Sequence, residues 1–475
     1  MIAPHSSWKR RLATKALLLL LLGFVVLAIV YVLIPADNTW LQTKRELEAR
    51  GEILDWDKFV PPEIPEAQNL FEHPVAANLL PVKGAPVPPN PLNVPLPAYP
   101  PKSDRLGRPL TIPTLKHLPR ESAPDPNEFT LTSLAQWFAQ WDQSFAQLRE
   151  AGKRPGARLP GDYRNPSEAP IPDFLQIRAL CQMLASRAKV HLLLGDPAAA
   201  LEDLDTISVA MKALNVSPGM LVSAMIQVAV AGLYIEVVEE GLRENLWRDI
   251  ELQQLVPRLT QINLIATVQQ GIRAERAGVS RILSALADRR KDPIYNATLR
   301  DFAAGSPSKG WNLDRVFLRF SPAGWVRRNQ ANHALLVQEY IDAFDSPNRR
   351  VDLTRIESAN KNLDRLTARW SPHTRLLAMV TPNFSKAAVT VVRAETRARQ
   401  AALACAIKRF HLQNHRYPTN LTELLPNYIT AVPIDLFTGS PMTYGQTSHG
   451  WELTSQGPDP TTPKAAPLSF IWNGN

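Results

Sequence analysis

Hydrophobic residues recur at helical spacing along most of the chain, and this pattern predicts a mainly α-helical protein. The stretch LTSLAQWFAQWDQSFAQL places its large apolar residues on one broad helix face: Leu134, Trp137, Phe138, Trp141, Phe145 and Leu148. Similar patterns fill the region from Asp173 to about Trp370, with short breaks such as SPGM and SPAGW. We therefore predict an irregular helical bundle as a helical domain over residues 129–375.

One pair of helices in this bundle is marked by a tight turn. SRAKVHLLLGDPAAALEDLDTI indicates a helix, a turn at Gly195 and Asp196, and a second helix. The spacing of Ala188, Gly195, Ala200 and Leu204 resembles one tetratricopeptide-like hairpin. No second copy occurs at a fixed period of about 34 residues, so we do not expect a repeat array.

The longest uncharged apolar run, ALLLLLLGFVVLAIVYVLI, covers residues 16–34. At about 1.5 Å per residue it would span about 28 Å, close to one hydrocarbon core. Basic residues precede the run, whereas the first ones after it are Lys44 and Arg45. The positive-inside rule then predicts a cytoplasmic tail (residues 1–15), a transmembrane helix (16–34) and a periplasmic remainder, in a bacterial inner membrane.

A cleaved signal peptide is the alternative interpretation of this run. Signal peptides have apolar cores of about 7–15 residues and a small-x-small cleavage site. The run here is longer, and Ile34-Pro35-Ala36 is a poor cleavage site. The pattern favours an uncleaved single-pass anchor, and the membrane is therefore an expected partner.

Residues 35–128 are predicted to combine a short helix with a proline-rich linker. Asn38 to Leu54 has a polar helical pattern that ends near Gly51. Eighteen of the 42 prolines lie between Pro61 and Pro126, which excludes regular helix or central strand there. The linker also contains large apolar residues that a free linker would not need, and these predict that part of it packs on a domain: Leu70, Phe71, Leu79 and Leu80.

Composition and charge narrow the class of protein further. Hydrophobic residues make up 45% and charged residues 20%, as in a folded chain, and the net charge is +9. The basic residues are spread along the chain without a stripe of stacking aromatics, so no nucleic-acid partner is expected. Cys181 and Cys405 form no C-x-x-C motif and are expected to be buried free thiols, with a disulfide as the alternative.

No motif predicts a metal, a cofactor or a catalytic residue. His411 and His415 lie one helical turn apart, but Leu412 occupies the position where a zinc peptidase has glutamate. The S-x-x-K match from Ser306 to Lys309 lacks its partner motifs. Adjacent acids such as Glu239 and Glu240 are explained as part of a solvated helix face. An enzymatic activity is left open but not expected.

Trp137 and Trp141 are the candidate glycan-binding residues. They stand four residues apart on one helix face and would stack on sugar rings of the cell wall, with the loop Lys153–Arg164 beside them. The competing interpretation is that the pair belongs to the core stripe of the helix.

The last part of the chain has the pattern of a small α+β module, residues 383–475. Asn383 to His415 predicts a long helix that Pro418 ends, after which Asn420 and Glu423 form a capping-box pattern for a short helix. The buried side of that short helix is predicted to contain Leu421, Leu424 and Leu425. Met442–Tyr444 and Trp451–Ser455 are the strand candidates.

The order long helix, RYP, short helix, VP-x-D-x-F-x-G-x-P and hairpin ending in SQGPD resembles the C-terminal half of the major pseudopilin of type II secretion. The matching residues are Arg416, Tyr417, Pro418, Leu424, Pro433, Asp435, Phe437, Gly439, Pro441, Tyr444, Ser455, Gly457 and Asp459. The resemblance implies a pseudopilin-like fold for this module.

Two departures from the family change what the resemblance implies. The family's processing site precedes its apolar helix, whereas Gly23-Phe24 lies inside the run here, and Ala28 replaces the family's glutamate. Of the acids that form the family's calcium loop, this chain keeps only Asp459. One acid supplies too few oxygen ligands for calcium. We expect neither a pilin subunit nor a calcium site.

The whole layout is similar to a group of uncharacterised bacterial proteins with one N-terminal membrane anchor. It predicts a periplasmic scaffold or interaction protein that serves secretion or envelope assembly and binds envelope proteins. The alternative function is an envelope enzyme or glycan-binding protein that acts on cell-wall material.

Overall fold

Helices form most of the chain, and the mainly α prediction is confirmed. The computed structural model describes residues 20–25, 37–83, 131–216, 218–304, 319, 321–369, 371, 373–382, 384–437, 439–447, 450–455 and 468–472. The predicted cytoplasmic tail, most of the predicted transmembrane run, the linker from residue 84 to 128, Ser306–Lys309 and Asp459 lie outside these residues.

The α-helices are numbered in chain order. They are α1 Asp37–Ala49, α2 Pro74–Leu79, α3 Leu131–Ala139, α4 Asp142–Gly152, α5 Phe174–Leu193, α6 Pro197–Leu214, α7 Leu221–Arg243, α8 Asp249–Gln261, α9 Leu264–Asp288, α10 Tyr295–Ala304, α11 Ala323–Ile341, α12 Leu353–Thr367, α13 Arg375–Val380 and α14 Ser385–Asn414. Short 3-10 helices occur at Trp56–Lys58, Glu66–Gln68, Leu70–Glu72, Arg289–Lys291 and Leu421–Leu424.

In the part of the chain that the structure describes, five short strands form two antiparallel sheets. β1 (Phe344–Asp345) pairs with β2 (Arg350–Val351), and Phe344 lies opposite Val351. The second sheet has the order β3 (Thr443–Thr447), β4 (Gly450–Ser455) and β5 (Leu468–Trp472). The strand patterns predicted the β3–β4 hairpin to within a few residues, but they did not predict β5.

The helix pair α5 and α6 forms the hairpin that the turn at Gly195 predicted. Gly195 has a φ of 79°, a left-handed conformation that glycine adopts without a Cβ clash. Asp196 then caps α6, because its side chain accepts a hydrogen bond from the Ala199 amide at 3.1 Å. Proline at the first position of α6 needs no hydrogen-bond partner for its nitrogen.

The long helix α14 lies inside the helical body. The largest hydrophobic cluster joins residues of α5, α6, α7, α8 and α14, and a second cluster joins α7, α9, α11, α12 and α14. The buried alanines of α14 let neighbouring helices approach closely: Ala401, Ala402, Ala404 and Ala406. The expected boundary between residues 375 and 383 therefore does not separate two hydrophobic cores.

Among the helices described, α7 is long and apolar enough to span a membrane by length and composition. Its most apolar window has a mean hydropathy of 2.0, and half of that window is buried. The helix packs against α5, α9 and α14. A central core helix needs the same composition, and this packing favours that role for α7.

The segment from residue 37 to 83 packs along the body. Trp40, Leu47 and Leu54 form a buried cluster with Ala331 and Ala334 of α11. The four large apolar residues of the proline-rich segment, Leu70, Phe71, Leu79 and Leu80, are buried in the largest cluster. This part of the predicted linker is therefore a strap on the body, because its apolar side chains have a core to fill. The exclusion of regular helix was wrong for the short helix α2, because Pro74 stands at its first position, where proline is tolerated.

Candidate functional site

A fully buried carboxyl group, that of Asp203 on α6, faces two residues of α5. Arg187 and His191 are four residues apart, so they share one face of α5. The Asp203 oxygen Oδ2 lies 3.6 Å from Nε of Arg187 and 3.8 Å from Nε2 of His191. Arg187 also reaches Asp142 of α4 at 2.6 Å, so the cluster links three helices.

Burial dominates the electrostatics of this cluster. Desolvation raises the pKa of Asp203 to about 8, although the positive charge of Arg187 opposes the rise. Burial, and then the charge of Arg187, lowers the pKa of His191. At neutral pH the cluster therefore combines a protonated Asp203 with a neutral His191.

This pair of opposite pKa shifts marks a functional-site candidate, but its geometry does not suit catalysis. A general acid must lie about 2.6–3.2 Å from the group to which it gives its proton. The side chain of Asp203 is only 1% exposed, so burial keeps a substrate from coming that close. Arg187 instead ties α4 to α5 and lies over the ring of Phe145, 5.1 Å from its centre. The cluster is best explained as a link between helices.

Two further charged clusters join helices in the core. Nζ of Lys189 on α5 lies 2.6 Å from Glu236 and 2.9 Å from Glu240, both on α7. Glu239 binds Arg397 of α14 at 2.6 Å. Glu239 and Glu240 are buried, so their assignment to a solvated helix face was wrong. The sequence alone did not show that α5 and α14 supply cations on the two sides of α7.

Glu395 of α14 caps the start of α9. One carboxylate oxygen accepts hydrogen bonds from the amides of Leu264 and Ile265, at 2.8 and 3.1 Å. The other lies 3.4 Å from Arg399 and 3.5 Å from Arg349. Through these contacts Glu395 joins the start of α9 to α14 and to Arg349.

An open groove of about 550 Å³ lies between α6 and α8. It is lined by Ala198, Leu201, Glu202, Asp205, Arg248, Ile250, Glu251 and Gln254. Two of its acids are paired across helices, Glu202 with Arg149 at 2.6 Å and Asp205 with Arg258 at 3.2 Å. The third, Glu251, pairs with Arg248 at the start of α8 at 2.7 Å. No group of three His, Cys, Asp or Glu residues able to hold a metal occurs in the described part of the chain.

The candidate glycan-binding tryptophans lie in the helical core. Trp141 is 3% exposed and belongs to the largest hydrophobic cluster, against which the half-buried Trp137 packs. The two rings meet edge to face, 4.6 Å apart. Since the ring of Trp141 is covered, it offers no face to a sugar, and the core interpretation fits the pair better. The loop Lys153–Arg164 is tied to the strap, where Arg154 donates to the Asn69 carbonyl at 2.8 Å.

The RYP segment makes a compact corner after α14. Arg416 pairs with Glu423 at 2.6 Å, Tyr417 stacks on His411 with ring centres 4.2 Å apart, and the Tyr444 hydroxyl donates to the Pro418 carbonyl at 2.8 Å. These residues of the pseudopilin-like motif, which are far apart in sequence, therefore contact one another or close neighbours. His415 ends α14 in a left-handed conformation with φ of 55°.

The predicted capping box differs from the observed one. Asn420 accepts from the Thr422 amide at 3.0 Å, and the carboxylate of Glu423 accepts from the Thr419 amide at 2.7 Å, one residue before the expected cap. The short helix is a 3-10 helix that ends at Leu424. Leu425, predicted to be buried, is 37% exposed, because it follows the helix in an extended conformation.

Asp435 organises the turn before β3. It is buried and accepts hydrogen bonds from the Phe437 amide at 2.9 Å and the Ser455 hydroxyl of β4 at 2.8 Å. The Asp435 carbonyl accepts a hydrogen bond from the Gly439 amide. Position 439 has a φ of 72°, a left-handed conformation that favours glycine. Pro433 lies two residues before Asp435 and is half-buried. Asp435 therefore acts as a structural turn acid.

The two cysteines are free and buried, and the disulfide alternative is not observed. Burial raises the pKa of both thiols, which keeps them protonated and unreactive.

No protein-family model, curated protein or solved structure matches this chain.

Proposed function

We propose that this chain is a single-pass inner-membrane protein whose helical body acts in the periplasm as a scaffold for envelope proteins, in secretion or envelope assembly. The observation that carries the proposal is the packing of α1, which begins three residues after the predicted transmembrane run, along α11 of the body. A body joined in this way is held at a fixed position beside the bilayer.

The described part of the apolar run is compatible with a lipid environment. Residues 20–25 are helical, and their side chains point away from the rest of the protein: Leu20 is 73% exposed and Phe24 is 74% exposed. A helix satisfies its own backbone hydrogen bonds, so apolar side chains facing outward are stable in hydrocarbon and unfavourable in water.

Charged contacts add to the packing of α1. Arg50 pairs with Asp342 at the end of α11 at 2.8 Å, and Glu52 pairs with Arg276 of α9 at 2.6 Å and Arg273 at 3.2 Å. Burial would raise the pKa of Glu52, but hydrogen bonds from Arg273 and Arg276 outweigh it and lower the pKa to about 2. The carboxylate therefore stays charged, and the connection persists over the physiological pH range.

The buried charged groups support binding rather than catalysis. In the described residues, the clusters around Asp203, Lys189 and Glu395 link helices, and the acids of the groove between α6 and α8 are paired. A rigid body with its core charges committed to helix packing suits a scaffold.

We also propose that the α5–α6 hairpin is tetratricopeptide-like and that the segment from α14 to β5 is related to the globular end of a pseudopilin. The contacts of Arg416, Tyr417, Asp435 and Tyr444 support the second relation. In this chain α14 packs against helices of the body as well as against the β3–β4–β5 sheet.

Cell fractionation with a C-terminal tag tests the proposal. We expect the chain in the inner-membrane fraction after alkaline washing, digestion of its body by protease added to spheroplasts, and a discrete partner after mild crosslinking. Release into the soluble fraction would contradict the anchor. A membrane-bound chain without any crosslinked partner would contradict the scaffold role.

A further inference from the structure

The direction of α1 identifies which end of the body lies nearest the bilayer. Arg50, just after α1, meets Asp342 at the C-terminal end of α11, and α1 lies along α11. The two helices are therefore parallel, and the start of α1 lies toward the start of α11. Ile34 and Asp37 are three residues apart, at most about 11 Å, so this end of the body must lie close to the predicted transmembrane run.

The end of α9 meets the start of α11 at the same place. α9 runs antiparallel to α11: Gln269 donates to the Ile341 carbonyl at 3.1 Å, whereas Arg327 reaches Asp288 at 2.8 Å. Arg289 donates to the Ser321 carbonyl at 2.6 Å, which holds the 3-10 helix Arg289–Lys291 against the segment before α11. α10 packs here through Tyr295, in a small cluster with Leu286 and Val326.

This end of the body carries a large excess of positive charge. Residues 281–304, 319 and 321–328 contain eight basic and three acidic residues. Asp292 is paired with Arg281 at 2.7 Å and Asp288 with Arg327 at 2.8 Å within the body. The cations without an acidic partner among the described residues include Arg290, Lys291, Arg300 and Arg319, all exposed, and the half-buried Arg328.

An amphipathic aromatic side chain lies beside these cations. Trp325, in the first turn of α11, is half-buried and meets His373 edge to face at 6.0 Å. Tryptophan is enriched at the depth of lipid head groups, where an apolar ring with a polar edge is stable. Cations without an acidic partner in the described part of the chain, together with tryptophan, match the chemistry of an anionic bilayer surface.

We infer that the basic face formed by Arg290, Lys291, Arg300, Arg319 and Arg328 binds the anionic phospholipid head groups of the bilayer from which the chain emerges. The inference rests on the proposed membrane anchor, which brings this face within reach of the lipid. Each basic residue near such a surface strengthens contact about fivefold, so the loss of three is expected to weaken it about a hundredfold. Salt screens charges beyond about 10 Å at 0.1 M, so contact should weaken as salt rises.

The test uses the full chain in lipid nanodiscs. A fluorophore on Asn296→Cys, an exposed position of α10, reports contact through quenching by a trace of head-group-labelled lipid, and the buried native cysteines stay unlabelled. The fraction of phosphatidylglycerol in phosphatidylcholine is then raised from zero. We expect quenching to increase with the anionic fraction and to be lost at high salt.

Charge variants decide whether this face carries the contact. The triple variant Arg290→Gln, Lys291→Gln and Arg300→Gln should need far more phosphatidylglycerol to reach the same quenching, or should show no increase in quenching at all. The control Lys58→Gln, Lys153→Gln and Lys386→Gln removes the same charge at exposed positions elsewhere and should behave as the wild type. A second variant, Arg290→Lys with Arg300→Lys, keeps the charge and should retain the response. It separates a charge effect from misfolding.

The outcomes distinguish the inference from the proposed function. A chain that fails to enter nanodiscs contradicts the anchor itself. A chain that enters but shows equal quenching in neutral and anionic discs, or loses the response equally in the control variant, overturns the lipid inference alone. Stronger contact with soluble poly-glutamate than with anionic discs would also overturn it, because the face would then fit an acidic protein.

Discussion

The carboxylate of Glu52 lies 2.6 Å from a guanidinium nitrogen of Arg276, and Arg276 is fully buried. Glu52 also accepts from Gln338 of α11 at 3.3 Å. This one acid, just after α1, therefore connects the segment that leaves the predicted membrane run to both α9 and α11.

Replacement of Glu52 by glutamine is expected to destabilise the fold by about 3–5 kcal/mol, because it leaves a buried guanidinium without its counter-charge. Urea unfolding of the full chain in detergent measures this, and hydrogen exchange should show that α1 opens first. Glu63→Gln, at an exposed position, serves as the control and should change little. Equal stability of the two variants would mean that the ion pair does not hold α1.

The same residue predicts an acid-dependent loss of stability. Its pKa in the folded protein is about 2, below the ordinary value of 4.5, so its contribution is fully present above about pH 4.5 and is lost as the pH falls toward 2. Glu52→Gln should lack this part of the pH dependence. Unfolding curves at pH 3 and pH 6 check it, and a parallel decline of both proteins would contradict the assignment.

Asp203 predicts the opposite dependence. Its pKa is raised from 3.8 to about 8 in the folded protein, so the folded state binds the proton more tightly, and stability falls as the pH rises from about 4 to 8. Asp203→Asn avoids the buried charge and should be more stable than the wild type at pH 8, by about 1–3 kcal/mol. Asp57→Asn, on the surface, is the control. A destabilised Asp203→Asn at pH 8 would show that the carboxylate form is the native one.

Glu395→Gln should destabilise the junction of α8, α9 and α14 by about 3–5 kcal/mol, because Arg349 and Arg399 lose their buried carboxylate partner. Glu357→Gln removes an exposed pair with Lys361 and should change the stability little. Chemical unfolding of both variants measures the difference. The side chain of Asn263 also caps α9, because it accepts a hydrogen bond from the Ala266 amide. Similar small losses of stability in the two variants would assign the capping of α9 to Asn263 alone.

Two glycines of α7 provide a matched pair for packing. A Cβ at Gly241 would lie 2.3 Å from Nε1 of Trp247, whereas one at Gly232 would meet nothing within 4 Å. Gly241→Ala should therefore destabilise by about 1–3 kcal/mol through overpacking, and Gly232→Ala should stabilise by up to about 1 kcal/mol through helix propensity. Thermal unfolding measures the change in stability of each variant. Changes of the same sign in the two variants would refute the packing assigned to α7.

Local elements were predictable because their signals lie in neighbouring residues. The expected helix Asn383–His415 is observed as Ser385–Asn414, since continuous periodicity fixes its body and Pro418 limits its end. Pro433 and Gly439 lie close to Asp435 in the sequence, and such neighbours are typical of the turn that is observed there. Leu425 was misplaced because the pattern does not distinguish an α-helix from a 3-10 helix that ends one residue earlier.

Long-range relations were not predictable in the same way. Glu52, Glu239 and Glu395 resemble solvated helix acids until α9, α7 and α14 come together. Each has a partner more than 100 residues away in the sequence: Arg276, Arg397 and the Leu264 amide. Asp288 and Arg327 are separated by α10 in the sequence and become neighbours in space through the antiparallel packing of α9 and α11. The sequence showed the charge excess without showing where it collects.

The position of α14 has a consequence for the order of synthesis. The helix begins at Ser385, yet its alanines fill the space among helices made more than 100 residues earlier. Until it leaves the ribosome, α5, α7 and α8 expose apolar faces that have no internal cover, and such partly folded chains associate readily. A nascent chain of this protein must therefore be shielded, or be delayed in folding, until its late central helix arrives.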